Sequence, residues 1–292
     1  LQLAAFIGGI TAAVLAVLIL VLLVGGRMYL LSDSGRGLVT SFIAGKKISR
    51  YGRINVEGVT GDLFDDFTIR RLTITDQKGV WLEAADVRVD WSYPALVARR
   101  FHATDVSART IRLVRRPELD PPDGKPPQPM PISVDIDRFG ANVELLEGFS
   151  KEYGRWRLTG SADVPRSGAK EATVNAYSLN RPGDFLRIAA TLGAKIEDTR
   201  LNLRANEAQG GPIAGALGYS PDQPFTATAL VNGEIVDAVV RTGAFTPQTI
   251  KGHYGKAGSR ISGYADFSGS DLLAPFVERI GRTARFGFAA VP

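Results

Sequence analysis

The side chains that most often carry enzymatic chemistry are scarce in this 292-residue chain. It contains no cysteine and only two histidines, His102 and His253, which lie too far apart for a helical HExxH pair. The absence of cysteine excludes a disulfide framework, a thiolate zinc site and a cysteine nucleophile. With only two imidazoles, the chain also has few candidates for a general base. We therefore expect a protein that is not an enzyme, without catalytic, cofactor or metal residues.

The remaining candidates for a site have simpler structural interpretations. Asp65-Asp66 and Glu197-Asp198 are adjacent pairs, and neighbours in a strand point to opposite faces, so neither pair acts together on one substrate. The glycine-rich run from position 210 to 215 lacks the GxGxxG spacing and is interpreted as a turn. Core packing or a surface hydrogen bond is expected for Trp81, Trp91, Trp156 and His102.

Positive charge is concentrated in the first third of the chain. The net charge is +5 and the pI about 9.5; residues 27–116 carry 16 basic against 10 acidic residues, and residues 117–292 carry 19 against 20. Nucleic-acid faces more often recruit basic residues from a whole domain, interleaved with aromatics, so we do not expect nucleic acid as a partner. Basic residues beside a membrane gain roughly 1 kcal/mol each from anionic lipid, although a solvated basic linker is an equal alternative. The densest basic residues are Arg36, Lys46, Lys47, Arg50 and Arg53.

The first 24 residues contain no charged side chain. A helix of that length is roughly 36 Å long, enough to cross a hydrocarbon core of about 30 Å. The run is longer than the apolar part of a signal peptide and ends in Gly-Gly-Arg, which favours an uncleaved anchor over residues 1–26. The positive-inside rule alone would leave the C-terminal part in the cytoplasm, but long domains translocate largely regardless of charge. Residues 27–53 are expected to form a basic juxtamembrane helix and linker, helical over 34–44.

After residue 54 the sequence alternates with the period of a β-strand. Val87, Val89 and Trp91 alternate with charged residues, which predicts one apolar and one charged face. In residues 66–76 the alternation slips by one residue at Arg70-Arg71, which indicates a β-bulge.

Further short strands follow at intervals of 10 to 15 residues, separated by turn-forming sequences such as Asn232-Gly233. They are predicted at 132–137, 140–147, 156–164, 172–179, 185–193, 196–205, 225–231, 234–242, 249–254 and 260–267. Short helices are predicted at 94–98 and 271–280. The fold class is therefore mainly β: a transmembrane helix followed by an elongated, mostly antiparallel, groove-forming sheet.

The Pro-rich segment 118–131 separates a β subdomain at 54–117 from a region of repeated strands at 132–292. Residues 286–291 resemble the opening of another strand, and an open sheet edge invites aggregation. Together with the leucine at position 1, this pattern leads us to expect truncation at both ends.

An ordered series of motifs within residues 1–117 resembles the TamB family, the inner-membrane subunits of the bacterial translocation and assembly module, in the broader AsmA-like group. The series combines G-x-x-G, D-x-x-G-x-W-L and D-W with a short turn and a strand ending in Arg115-Arg116-Pro117. The residues that carry it are Gly58, Gly61, Asp76, Gly79, Trp81, Asp90, Trp91 and Pro94. From residue 132 onward the similarity is limited to the repetition of short predicted strands.

The resemblance implies an inner-membrane anchor, a periplasmic β-structure folded into an apolar groove, and a C-terminal region that meets an Omp85-type outer-membrane barrel, TamA. The family is linked to autotransporter and outer-membrane protein biogenesis, and similar proteins are thought to carry phospholipid between membranes. By this resemblance, we expect the chain to lack the family's C-terminal part. A passive tether and a chaperone that pairs with client strands are the alternative functions.

Independently of the resemblance, a sheet with one apolar face must bury it against a second layer, itself or an apolar ligand. We expect the apolar residues of the first β subdomain to line a groove near the membrane, with lipid as the partner. These residues are Phe67, Ile69, Leu72, Ile74, Val87, Val89 and Trp91.

Overall fold

The fold is described from a computed structural model, which covers residues 46–47, 51–119, 132–243, 246–255 and 258–290. The predicted anchor (1–26), the helix predicted at 34–44 and most of the Pro-rich segment lie outside these residues. Among the described residues, no helix combines the length and the apolar character needed to cross a membrane. The described part of the chain is mainly β and mostly antiparallel, with a few short helices, as the alternation predicted.

The chain forms two compact units. The first contains the described residues up to Phe149 together with Ser161–Arg166, and the second contains Ser150–Gly160 and the residues from Ser167 onward. The division therefore falls after Phe149, whereas the sequence analysis placed it at the Pro-rich segment.

The first unit is a sheet whose strands follow one another in chain order. Its strands are β1 (Lys46–Lys47), β2 (Arg53–Gly61), β3 (Asp66–Asp76), β4 (Gly79–Trp91), β5 (Arg100–Leu113) and β6 (Ser133–Leu145). A 3-10 helix, Tyr93–Ala98, joins β4 to β5, and Pro94 lies in its first turn. Neighbouring strands pair antiparallel, except that β5 and β6 are parallel, with Arg100 beside Ser133 and Leu113 beside Leu145. Strand β6 thus merges the two strands predicted at 132–137 and 140–147.

In the first unit the alternation of buried and exposed residues is interrupted at the predicted position, but no β-bulge forms there. Arg70 and Arg71 are both exposed between buried Ile69 and Leu72, so the slip lies at the predicted position. The pairing does not shift there, however, because Ile69 pairs with Val87 and Arg71 pairs with Ala85. A β-bulge would place two residues opposite one. The prediction of a bulge at this position was therefore wrong.

Instead, the slip occurs at the same row in four neighbouring strands. The unchanged register on either side sets Gly58 opposite Arg70, Arg70 opposite Asp86, and Asp86 opposite Arg109. We call these four residues the kink row. Gly58 and Asp86 have φ of +67° and +49°, the left-handed conformation that lets two successive residues face outward. Because these four strands slip together, their apolar residues on both sides of the kink row stay on one face of the sheet.

The second unit is also a sheet in chain order. Its strands are the first part of β7 (Gly154–Val164, whose residues from Ser161 onward belong to the first unit), β8 (Lys170–Ser178), β9 (Phe185–Leu192), β10 (Arg200–Glu207), β11 (Phe225–Asn232), β12 (Ile235–Thr242), β13 (Gln248–Gly255), β14 (Gly258–Asp266) and β15 (Thr283–Ala290). From β8 to β15 every neighbouring pair is antiparallel. The strand predictions hold here within a few residues, and Asn232-Gly233 joins β11 to β12 with Gly233 at φ +59°.

Short helical segments connect the strands. They are the α-helices Glu147–Ser150, Pro212–Ala216 and Ala274–Ile280 and the 3-10 helices Ile196–Asp198 and Phe267–Gly269. The helix predicted at 271–280 forms over its last seven residues. The 3-10 helix Ile196–Asp198 replaces the start of the strand predicted at 196–205. The glycine-rich run predicted as a turn continues into the helix Pro212–Ala216.

A carboxylate fixes the turn between β3 and β4. Asp76 accepts hydrogen bonds from the backbone N–H of Lys78 at 2.8 Å and of Glu118 at 2.6 Å, and Arg115 donates Nη1 to it at 2.9 Å. The Asp76 side chain is 3% exposed. Arg115 and the two N–H donors lower the pKa of Asp76 to about 2, although burial opposes the shift. The charged carboxylate therefore ties the β3–β4 turn to the chain that follows β5.

Replacing this carboxylate should destabilise the first unit in a pH-dependent way. The folded pKa lies below the ordinary value of 3.8, so the stabilisation is present above pH 4 and is lost as the pH falls toward 2. We expect Asp76→Asn to lower the unfolding free energy at pH 7 by about 2 kcal/mol, the value of such a pKa shift. Chemical denaturation of the full chain at pH 7 and pH 3 measures this difference.

The exposed Asp163, on β7, provides the matched control. Asp163→Asn should change the unfolding free energy by less than about 0.5 kcal/mol. An Asp76→Asn variant as stable as Asp163→Asn at pH 7 would contradict the role given to the turn.

Candidate functional site

The predicted groove residues come together on one face of β3 and β4, as the alternation indicated. Phe67 pairs with Val89, and Ile69 pairs with Val87. All seven residues, Phe67, Ile69, Leu72, Ile74, Val87, Val89 and Trp91, are at most 2% exposed. They are therefore packed side chains in this structure and present no open surface to a ligand.

The residues of the family-like motif have structural roles. Trp81 donates Nε1 to the carbonyl of Tyr51 at 2.9 Å, and Trp91 donates Nε1 to the carbonyl of Leu63 at 3.1 Å, so both indoles are buried with their polar atom satisfied. Gly79 opens β4 with φ +103°.

The other motif residues are also explained by local geometry. Gly61 ends β2, Pro94 begins a 3-10 helix, Asp76 holds the β3–β4 turn and Gly58 belongs to the kink row. Asp90 pairs with Asp66 and Asp105, whose charges Arg88 and Arg138 neutralise. The motif therefore specifies how the first unit folds.

The predicted membrane-proximal basic residues are described only in part. Lys46 and Lys47 form β1 and pair with Ile54 and Arg53. Arg53 is exposed at the start of β2. Arg36 and Arg50 lie outside the described residues.

The polar face of the first unit carries a ladder of ion pairs between neighbouring strands. The pairs are Arg71–Glu83, Arg88–Asp66, Arg109–Asp86, Arg112–Glu144, Arg100–Asp135 and Arg138–Asp105. Most of these guanidinium groups are more than half exposed, so each pair contributes little to stability. Their effect is to keep this face charged and wet.

One cluster in this ladder has side chains of the type that bind metal ions. Nε2 of His102 lies 3.2 Å from both carboxylate oxygens of Asp137 and 3.9 Å from Asp135. The three possible ligand atoms lie within 4.8 Å of one another. Arg100 already pairs with Asp135, so a cation would have to displace that guanidinium. His102 is thus the hydrogen-bonded histidine that was predicted.

An extended apolar surface lies on the second unit. Two rows of directly paired residues cross all eight strands from β8 to β15, and every member is aliphatic, glycine or phenylalanine. The first row is Val174, Ile188, Leu203, Ala229, Ala238, Ile250, Gly263 and Phe286, and the second is Ala172, Ala190, Leu201, Val231, Val236, Gly252, Ile261 and Phe288. We call them the apolar rows. Seven strand spacings of about 4.8 Å make each row roughly 34 Å long.

The opposite face of the same strands is polar. The row between the two apolar rows contains Thr173, Ala189, Asn202, Leu230, Asp237, Lys251, Ser262 and Gly287. A shallow concavity of about 500 Å³ on this face includes Glu171, Thr191 and Arg200. The two faces of the second unit therefore differ sharply in polarity across the thickness of one sheet.

The apolar rows become more exposed toward the end of the sheet. Leu203 is 8% exposed, but Ile250 is 44%, Phe286 43% and Phe288 56% exposed. Exposed contiguous apolar surface of this extent is typical of a ligand or partner site. Sequence reasoning predicted the strands here but not the site, because only the pairing register aligns the eight strands. The apolar rows are our candidate functional site.

A buried acid, Glu207, lies at the end of β10, one of the less exposed strands of the apolar rows. It is 0% exposed. Its two carboxylate oxygens accept the backbone N–H groups of Ile213 and Ala214, each at 2.8 Å, at the start of the helix Pro212–Ala216. Sequence reasoning missed this residue. The signal was an acid at a strand end followed by a Gly-Gly-Pro turn, where unpaired helix N–H groups need an acceptor.

Burial raises the pKa of Glu207 to about 7, although the two N–H donors oppose the shift. The acid is therefore protonated over a wider pH range in the folded chain than in the unfolded chain. Its neighbours Ala214 and Phe225 are almost fully buried, so the carboxyl group lies in a well-packed region.

Comparisons of the chain with protein-family models, curated proteins and solved structures give no match. The interpretation of the site depends on the geometry of the described residues alone.

Ionisation of Glu207 should make the stability of the second unit fall as pH rises. The folded pKa of about 7 lies above the ordinary value of 4.5, so the stabilisation is complete below pH 4.5 and is lost between pH 4.5 and 7. Because Glu207→Gln cannot ionise, its unfolding free energy should gain about 2 kcal/mol relative to the parent chain between pH 5 and pH 8. Urea denaturation at the two pH values measures this change.

Glu171→Gln, at an exposed position on β8, is the matched control. It should run parallel to the parent chain across the same pH range. An equal response of Glu207→Gln and Glu171→Gln would show that the buried carboxyl group does not control this pH dependence.

Proposed function

We propose that this protein is an inner-membrane-anchored, periplasmic component of a translocation and assembly module in a Gram-negative bacterium. In this proposal it supports outer-membrane protein and autotransporter assembly and secretion, and it conducts phospholipid along an apolar β groove. The observation that carries the proposal is the pair of apolar rows in the second unit, half-exposed at Ile250, Phe286 and Phe288. The motif series in residues 1–117 supports it independently.

The apolar rows suit an acyl chain for a physical reason. Each CH₂ group that leaves water gains about 0.8 kcal/mol, so a continuous apolar strip lowers the free energy of an acyl chain without a catalytic group. The rows are roughly 34 Å long at about 4.8 Å per strand, more than the length of one extended acyl chain. The charged ladder of the first unit offers no such surface.

The position of the groove differs from the one first expected. The residues of β3 and β4 that were predicted to line it are at most 2% exposed. We therefore assign acyl-chain contact to the apolar rows, and we assign Phe67, Ile69, Leu72, Ile74, Val87, Val89 and Trp91 to the packing of the first unit.

The partners in this proposal are membrane lipid and an Omp85-type barrel, TamA, reached through a C-terminal region. The basic residues Arg36, Lys46, Lys47, Arg50 and Arg53 would contact anionic headgroups at the inner membrane. The proposal includes no nucleic-acid partner, and none of its steps requires a cofactor or a catalytic residue.

Photo-crosslinking on β13 tests the proposal. Ile250 belongs to an apolar row, and the adjacent Lys251 points to the polar face; both are exposed. We expect a photoreactive residue at position 250 of the full chain, expressed in a Gram-negative host, to yield phospholipid adducts detectable by mass spectrometry. Position 251 should yield several-fold fewer, because it projects away from the rows.

Charge substitution separates conduction from a passive tether. Ile250→Glu should reduce phospholipid adducts formed at Ala238 on the neighbouring strand, whereas Lys251→Glu should not. If Ile250→Glu leaves both the adducts and outer-membrane assembly intact, the chain acts as a tether. Equal adducts at positions 250 and 251 would overturn the assignment of the face.

The edge strand β15 favours a second candidate, a β-augmentation chaperone. Among the described residues, β15 pairs only with β14, and seven of its eight residues are exposed. An open edge offers unpaired N–H and C=O groups to a client strand. Crosslinks from Ala289 to outer-membrane polypeptides, with no lipid at position 250, would favour this candidate.

A further inference from the structure

A charged cavity lies on the polar face of the first unit, beside the kink row. Its volume is about 530 Å³. Four arginines line it, Arg70, Arg71, Arg109 and Arg112, together with the acids Glu57 and Glu83. The lining thus contains four basic and two acidic side chains, and two further acids, Asp86 and Glu144, pair with Arg109 and Arg112.

The pairing register explains why a cavity forms at this point. Arg71 pairs with Ala85, and Ala85 pairs with Thr110, so two small side chains occupy the middle of an outward-facing row. The kink row places Arg70 and Arg109 on one side of these small residues, and Arg112 lies on the other. The long arginine side chains thus surround a depression whose floor is formed by Ala85 and Thr110.

The arginines of the cavity are not equally engaged. Arg71 pairs with Glu83 at 3.1 Å, Arg109 with Asp86 at 2.6 Å, and Arg112 with Glu144 at 2.8 Å. Within the described residues, no hydrogen bond or ion pair joins the guanidinium of Arg70 to another group. Among the described residues, Arg70 is thus the arginine of this cavity that forms no ion pair.

The absence of a side chain at position 58 makes room for Arg70. A Cβ atom at Gly58 would lie 2.9 Å from Cβ and 3.1 Å from Nε of Arg70. The left-handed φ of Gly58, +67°, also disfavours any other residue. The motif glycine therefore positions the arginine along the edge of the cavity.

We propose that this cavity binds a phosphate group, with Arg70 as the principal ligand and Arg71, Arg109 and Arg112 as supporting charges. Guanidinium groups bind phosphate oxygens through paired, charge-assisted N–H donors. The Arg70 guanidinium, which has no ion pair among the described residues, favours an anion, and the floor of Ala85 and Thr110 leaves room for it. The proposal does not depend on the proposed function, because the cavity lies on the polar face of the first unit.

Titration with inorganic phosphate and with glycerol 3-phosphate tests the site. The full chain, purified in a non-ionic detergent, is titrated by calorimetry together with its Arg70→Gln variant. Charge-assisted hydrogen bonds are lost in the variant, so we expect binding to weaken about tenfold or more. Arg138→Gln, on the same face but outside the cavity and 73% exposed, should stay within about twofold of the parent.

Mixed micelles with phosphatidylglycerol or with phosphatidylcholine identify the source of the phosphate. Tighter binding to either lipid than to glycerol 3-phosphate, lost in Arg70→Gln, assigns the site to a lipid headgroup. Equal or tighter binding of the soluble phosphates assigns it to a free phosphate compound. Equal losses in Arg70→Gln and Arg138→Gln, or no binding of any phosphate at millimolar concentration, would overturn the proposal. Lipid adducts at Ile250 are independent of either result, so the two proposals fail separately.

Discussion

Neighbouring strands in a sheet must present their apolar side chains on the same face, and the rest of this structure depends on that constraint. A slip of alternation in one strand would send its apolar residues to the polar side unless the next strand slipped at the same row. In the first unit Gly58, Arg70, Asp86 and Arg109 slip together, and the register on both sides is unchanged. The buried face therefore continues across the kink, and the surplus outward residues are all polar or glycine.

The two units use the same alternation for different surfaces. In the first, large side chains such as Trp81 and Phe67 are fully buried and ion pairs cover the other face. In the second, the apolar rows contain small residues, and their exposure increases toward β15. Large side chains thus form the packed interior of the first unit, whereas in the second unit the large side chains of Ile250, Phe286 and Phe288 are among the most exposed members of the apolar rows. The polar face of the first unit, by contrast, provides charge and a cavity.

The sequence predicted what depends on neighbours along the chain. Period-two alternation located most strands, put Val87, Val89 and Trp91 on one apolar face, and located the slip at Arg70-Arg71. The alternation within one strand could not predict the pairing between strands. The pairing register decides whether a slip is a bulge or the kink row seen here, and the parallel pairing of β5 with β6 was also not predicted. Glu207 was missed because its importance comes from two N–H groups six and seven residues further on.

Small residues, Ala229, Ala238, Gly252 and Gly263, occupy several positions in the middle of the apolar rows. Side chains this small project little from the sheet, so a flexible apolar molecule lying there would have many positions of nearly equal free energy. Its movement from one position to the next then crosses only shallow barriers. Such a surface would not discriminate between apolar molecules of different length or branching. Any such specificity would have to come from other groups of the chain.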